Sequence, residues 1–135
     1  MKPGPRIWRK AVRPEFVPLI KQGIKTTTIR PWPRNRKPVP WADDMIQFFQ
    51  WTGKPYRSKQ RLVGMAMRIK KVTSINIDYY YCSYNYVVET LAKDLDRLAV
   101  KDGFSNWRDL VKWFEREHGL PFTGILIEWE PPTGG

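Results

Sequence analysis

The sequence predicts an α+β fold: one strongly bent sheet or small mixed β-barrel with three flanking helices. Two observations lead there. The apolar pattern runs strand, helix, strand, then three or so strands, two helices and a last strand, without the regular alternation of βαβ units. And 135 residues, 41% hydrophobic and 14% aromatic, match the size and composition of a single core-forming domain. Neither a repeat nor a linker divides the chain, so residues 1–135 read as one domain, with 1–9 a basic arm and 131–135 a fraying tail.

Taken in order, the prolines, bases and Trp8 of residues 1–10 lead into a short first strand. Arg13-Pro14-Glu15 opens a helix, because proline and an acid suit the first turn. Phe16, Leu19 and Ile20 give it an apolar face, and Gly23 stops it. A strand over Lys25–Arg30 follows, since three consecutive threonines favour extended backbone. Alternation puts Thr26, Thr28 and Arg30 on one face and Thr27 and Ile29 on the other. The first face is polar and cationic, either a solvated surface or the lining of a site for an anion or polar ligand.

Residues 31–42 hold four prolines, three bases, Trp32 and Trp41 and read as an exposed loop. Bases interleaved with indoles (Trp32, Arg34, Arg36, Lys37, Trp41) suit backbone phosphate and base stacking; the alternative is a solvated loop pinned by its tryptophans. Asp43-Asp44 turns the chain into a buried strand, Met45–Trp51. A long basic strand comes next, bearing Lys59, Arg61, Arg68, Lys70 and Lys71. Tyrosines 79, 80, 81, 84 and 86 surround Cys82, as a base-stacking platform or as a partly buried strand or loop. Val87 to about Lys101 reads as a helix through Leu91, Leu95 and Leu98. Ser105 is a good N-cap for a second helix with Trp107, Leu110, Val111 and Phe114 on one stripe. Phe122 to Trp129 completes the sheet.

The net charge is +11, and it is unevenly spread. Residues 1–71 carry 18 basic and 3 acidic side chains, residues 72–135 carry 6 and 10. That asymmetry points a basic surface at a polyanion, with nucleic acid ahead of an anionic membrane because no basic amphipathic helix is evident in the basic half. No apolar run approaches the ~18 residues of a membrane span. The N-terminus lacks the hydrophobic region of a secretory signal, and a single cysteine forms no internal disulfide. A cytoplasmic location is expected.

Catalytic options are few. There is one histidine and no GxSxG, P-loop or GxGxxG. His118 falls in the last turn of its helix, where a cation complements the dipole. Asp43 and Asp44 read as turn formers ahead of a Mg²⁺ site, so neither a metal nor a cofactor is expected. What remains is Lys25, the threonines and an acid. A partly desolvated lysine beside arginines has a lowered pKa and can serve as a base toward a hydroxyl. Lys25 and Thr28, three apart, converge only if Lys25 belongs to the turn after Gly23.

The stretch Phe16–Ile20 through Gly23-Ile24-Lys25-Thr26-Thr27-Thr28-Ile29-Arg30 resembles the opening signature of the ASCH domain family, small PUA-like barrels. The likeness extends to Asp44-Met45-Ile46, Val63-Gly64, Leu98 through Phe104, and Gly124 through Trp129. It implies an RNA- or nucleotide-binding cleft beside the barrel. One branch deacylates N4-acetylcytidine; its threonine nucleophile and activating lysine fall on Thr28 and Lys25, and its glutamate on the position of Asp102, one methylene shorter here. Arg30 has two other readings, a partner for Asp102 or Glu128, and Asp102 a second, a cap of the following turn. Three functions result: a binder of RNA or single strands, an amidohydrolase on a modified cytidine, and a nuclease that grips its strand with the basic face.

Overall fold

The computed structural model describes residues 4–33, 37–84 and 87–131; Arg34, Arg36 and Tyr86 lie outside them. Strand β1 (Ile7–Ala11) leads into a 3-10 turn at Pro14–Phe16 and then helix α1 (Val17–Lys21). Gly23, at φ 74°, ends it. Ile24 and Lys25 donate their N–H groups to the Leu19 carbonyl, and Thr26 donates to the Lys101 carbonyl. Those three bonds hold residues 24–26 in the turn, so strand β2 is Thr27–Pro31 and begins two residues later than propensity suggests. Lys25 therefore belongs to the turn.

Next come β3 (Met45–Trp51), β4 (Gln60–Ile77), β5 (Cys82–Tyr84), β6 (Val87–Glu89), α2 (Ala92–Lys101), α3 (Trp107–Glu117) and β7 (Phe122–Trp129). Two expectations are corrected. Val87-Val88 do not start the helix: β-branched and paired antiparallel to β5, they form a hairpin, and α2 begins at Ala92. Nor is Ser105 the N-cap of α3. Asn106 is, its side chain accepting the Asp109 N–H at 2.9 Å.

β1 runs parallel to β3; β3–β4, β4–β5, β5–β6, β4–β7 and β7–β2 are antiparallel. Straight, the 18 residues of β4 would run ~60 Å at about 3.3 Å per residue, longer than such a domain is wide. It instead pairs β3 through its first half and β7 through its second, with register shifts at Ile46/Phe48 and Ile69/Lys71; such bulges bend and twist a strand.

The bent sheet does not close into a barrel. Among the described residues no ladder joins β1 to β2. The last residue of β2, Pro31, has no N–H to offer one. A side-chain bond spans the gap instead, from Arg30 Nη2 to the Ala11 carbonyl at 2.9 Å.

β7 is buried on both faces. Ile125, Ile127 and Trp129 join Ile46, Phe48 and Ile69 inside the bend, while Phe122 and Leu126 join Leu95, Leu98, Leu110 and Phe114 under α2 and α3. β2 inherits this division through its register with β7: Thr28 and Arg30 lie opposite Ile127 and Ile125, Thr27 and Ile29 opposite Glu128 and Leu126. No helix among the described residues is long and apolar enough to cross a membrane.

Candidate functional site

A cleft of about 630 Å³ opens at the unclosed seam, between Ala11–Pro14, where β1 ends, and Thr28–Pro31 of β2. Its floor is polar. The Lys25 ammonium is buried; it donates to the Thr27 carbonyl at 2.8 Å and the Asp102 carbonyl at 2.5 Å, and stands 3.6 Å from Asp102 Oδ1. That carboxylate oxygen also accepts the Thr27 hydroxyl at 3.0 Å. Below, the ammonium sits 4.7 Å from the centre of the Phe16 ring, a favourable seat for a cation.

Burial dominates the titration of this pair. It pushes Lys25 below its ordinary value and Asp102 above its own, while their mutual attraction opposes both shifts. The neutral form of each is favoured by burial and the charged form by its partner.

Gly103 makes the packing possible. At φ 98°, its position would set a Cβ 2.7 Å from Phe16 Cδ1 and 3.0 Å from Lys25 Cδ. The short Asp102-Gly103 turn therefore lets α2 end directly on the lysine.

Arg30 reaches the cleft from the inner face of β2. It forms no ion pair with Asp102 or Glu128 among the described residues, and its Nε is buried there without a hydrogen-bond partner. Burial lowers its pKa, and the Asp102 charge raises it. Lys10 on β1 is lowered by burial and then by the Arg30 charge, so two cations crowd the seam.

The walls are aromatic. Phe104 and Trp113 stack in tilted contact, 5.9 Å between centres, with Trp51 and Tyr56 across the opening. Trp113 Nε1 is a second buried donor without a partner among the described residues. Arg13 lies 5.3 Å over the Trp113 ring and pairs with Glu117 at 3.0 Å. His118, the residue capping α3, packs on the Trp113, Phe114 and Phe122 rings.

Lys25, Thr28, Arg30 and Asp102 thus line one cleft. Asp102 ends α2, but its carboxylate serves Lys25 and Thr27. Thr26 does not join them; its backbone ties Lys101 to Trp129. Arg61 is exposed on β4, across from the cleft residue Gln50. Trp32 and Trp41 line a separate groove, Lys37 is exposed on their loop, and Arg34 and Arg36 lie outside the described residues. Tyr79, Tyr80, Tyr81 and Tyr84 do not line the cleft: Tyr79 donates to Glu115, and Tyr80 is exposed.

The acids before β3 act as turn formers. Asp44 accepts bonds from Trp8 Nε1 and the Arg6 and Trp41 N–H groups, and Asp43 pairs with Arg68. Sequence reasoning missed Thr27, Lys10, Arg13, Phe104 and Trp113. Trp113 had left a trace, an indole in α3 that lies off the Trp107-Leu110-Val111-Phe114 core stripe.

A scan of protein-family models gives no match to this chain, and searches of curated proteins and of solved structures give none either.

Proposed function

We propose that this chain is an RNA- or single-strand-binding domain of the PUA-like, ASCH kind, with one nucleotide seated in the cleft around Lys25–Arg30. The observation that carries the reading is the pair of buried donors on cleft side chains without a partner among the described residues, Arg30 Nε and Trp113 Nε1. A buried donor left unpaired costs about 1–3 kcal/mol, so the site favours a ligand rich in acceptors. A nucleotide supplies them through phosphate and base carbonyls, and its base matches the aromatic walls. The volume, about 630 Å³, lies in the range of small-molecule sites. The basic surface of residues 1–71 then meets the neighbouring phosphates, and the lone buried Cys82 suits a reducing, cytoplasmic setting.

The test is titration of a short oligouridylate at several salt concentrations. Affinity should fall steeply with salt through counterion release, and Arg30→Ala should weaken it. Salt-indifferent binding, or none, would sink the reading.

A second reading rests on the buried Lys25–Asp102 pair, which lines the same cleft as Thr28. In it the domain is an amidohydrolase of N4-acylated cytidine: Thr28 attacks the acyl carbon, Lys25 takes the hydroxyl proton, and Asp102 helps return one to the departing amine. Water then cleaves the acyl-threonine ester, releasing the carboxylic acid and restoring Thr28. Incubation with N4-acetylcytidine should release cytidine. Lys25→Ala and Thr28→Ala should abolish release, whereas product from either variant at the normal rate rules the reading out.

A further inference from the structure

Beyond the cleft, a second groove of about 350 Å³ runs between the proline-tryptophan loop and β4, lined by Trp32, Val39, Trp41, Lys70, Lys71 and Thr73 among others. Its composition differs from ordinary surface in three ways. Trp32 and Trp41, both on its wall, are 47% and 72% exposed, although indoles are among the costliest side chains to leave in water. Lys70 and Lys71 are adjacent in β4 and both line the groove. Regular alternation would send them to opposite faces, but the ladder to β7 slips between Ile69 and Lys71, so a bulge frees both for one site. Neither forms an ion pair among the described residues, and the buried Thr73 hydroxyl in the same wall has no partner there.

We infer that this groove is a second nucleotide subsite, where a base stacks on Trp32 or Trp41 and the flanking phosphates lie on Lys70 and Lys71. The inference rests on the cleft reading and deepens it, because it makes the ligand a strand of several nucleotides and not a free nucleoside. The two sites are adjacent: Pro31 lines the cleft and Trp32 the groove, so one peptide bond separates their walls. A single strand crossing the end of β2 enters both. Charge complementarity selects the occupant, since exposed indoles alone suit many partners, whereas unpaired lysines beside them suit a polyanion with aromatic faces.

The experiment compares uridine monophosphate with a short oligouridylate on wild type, Trp41→Ala, Lys70→Ala/Lys71→Ala and Arg30→Ala. Thermal melts check that each variant is folded. Trp41→Ala should lower oligonucleotide affinity about tenfold, the loss of one base–aromatic stack, and leave monophosphate affinity unchanged. The lysine double variant should flatten the salt dependence of oligonucleotide binding, the slope falling by roughly 0.7 for every phosphate that is no longer neutralised. Oligonucleotide binding lowered by Arg30→Ala but untouched by both groove variants overturns the subsite and leaves the cleft reading standing. Groove-dependent oligonucleotide binding with no monophosphate binding and no effect of Arg30→Ala keeps the subsite and overturns the cleft. Absence of oligonucleotide binding overturns both. Saturable binding of an acidic peptide that Trp41→Ala abolishes, with oligonucleotide binding unaffected, assigns the groove to protein and overturns the inference.

Discussion

The cleft and the tryptophan groove flank the same end of β2, yet they hold their charges in opposite ways. In the cleft, Lys25 and Asp102 are buried against each other and Arg30 is half-buried, its Nε fully so. In the groove, Lys70 and Lys71 stand in water without ion pairs among the described residues. A buried charge must be matched by partners at fixed distances, so it fixes geometry and binds the fold's stability to the site. An exposed charge costs the fold little and acts through a field that salt screens. Stability should therefore track the cleft, and salt dependence should track the groove.

The largest effect is expected at the buried pair. Lys25→Ala strands the Asp102 carboxyl in the interior, and removing one partner of such a pair costs about 3–5 kcal/mol. Denaturant unfolding should show it, with Lys25→Met/Asp102→Leu less destabilised than Lys25→Ala. A single variant as stable as wild type would erase the contrast between the two sites.

Arg30→Ala should weaken nucleotide binding by about 1.5–3 kcal/mol, the scale of a hydrogen bond to a charged group, as measured by calorimetric titration. Gly103→Ala should destabilise by about 1–3 kcal/mol, through its left-handed backbone and the overpacking of Phe16 and Lys25. A melting temperature unchanged by Gly103→Ala would mean that the turn does not hold the lysine in place.

The core gives a pH-dependent control. Burial, with a smaller contribution from Glu89, pushes the Cys82 thiol up to about 12 from an ordinary 9.0. A folded pKa above the unfolded one means that this group's stabilisation is complete below pH 9.0 and declines as pH rises toward about 12. Native protein at pH 8 should react with a thiol reagent only as fast as it opens, and Cys82→Ala should flatten the alkaline loss of stability. Smallest of all, Lys70→Ala/Lys71→Ala should shift stability by less than about 0.5 kcal/mol, as surface changes do.

Much of this was legible in the chain. Gly23 marked the end of α1, the apolar run of β3 was sharp, and the charge map isolated the basic half. Whether Lys25 and Thr28 share a cleft depended on where β2 starts, and propensity placed that two residues early. Three threonines favour a strand, but the carbonyls of Leu19 and Lys101 hold residues 24–26 out of it, and no local pattern carries that contact. The same shift hid Thr27, whose partner Asp102 lies 75 residues away. Helical leucine spacing, extended backward from Leu91, masked the β5–β6 hairpin, although Val87-Val88 argued for a strand. The closed barrel failed for a tertiary reason as well: β2 ends on Pro31, and Arg30 bridges to Ala11 where a ladder would run.

Nitrogen–proton NMR of the tryptophan indoles, followed during titration with uridine monophosphate, reads the cleft from inside. Among the described residues neither Trp113 Nε1 nor Trp129 Nε1 has a partner, but Trp113 lines the cleft whereas Trp129 is buried in the core away from it. With a nucleotide seated beside Arg30, the Trp113 indole signal should move saturably while the Trp129 signal stays fixed, and Arg30→Ala should abolish the movement. A Trp113 signal that stays still at saturating ligand, or movement confined to Trp32 and Trp41, would mean that no nucleotide sits in the cleft.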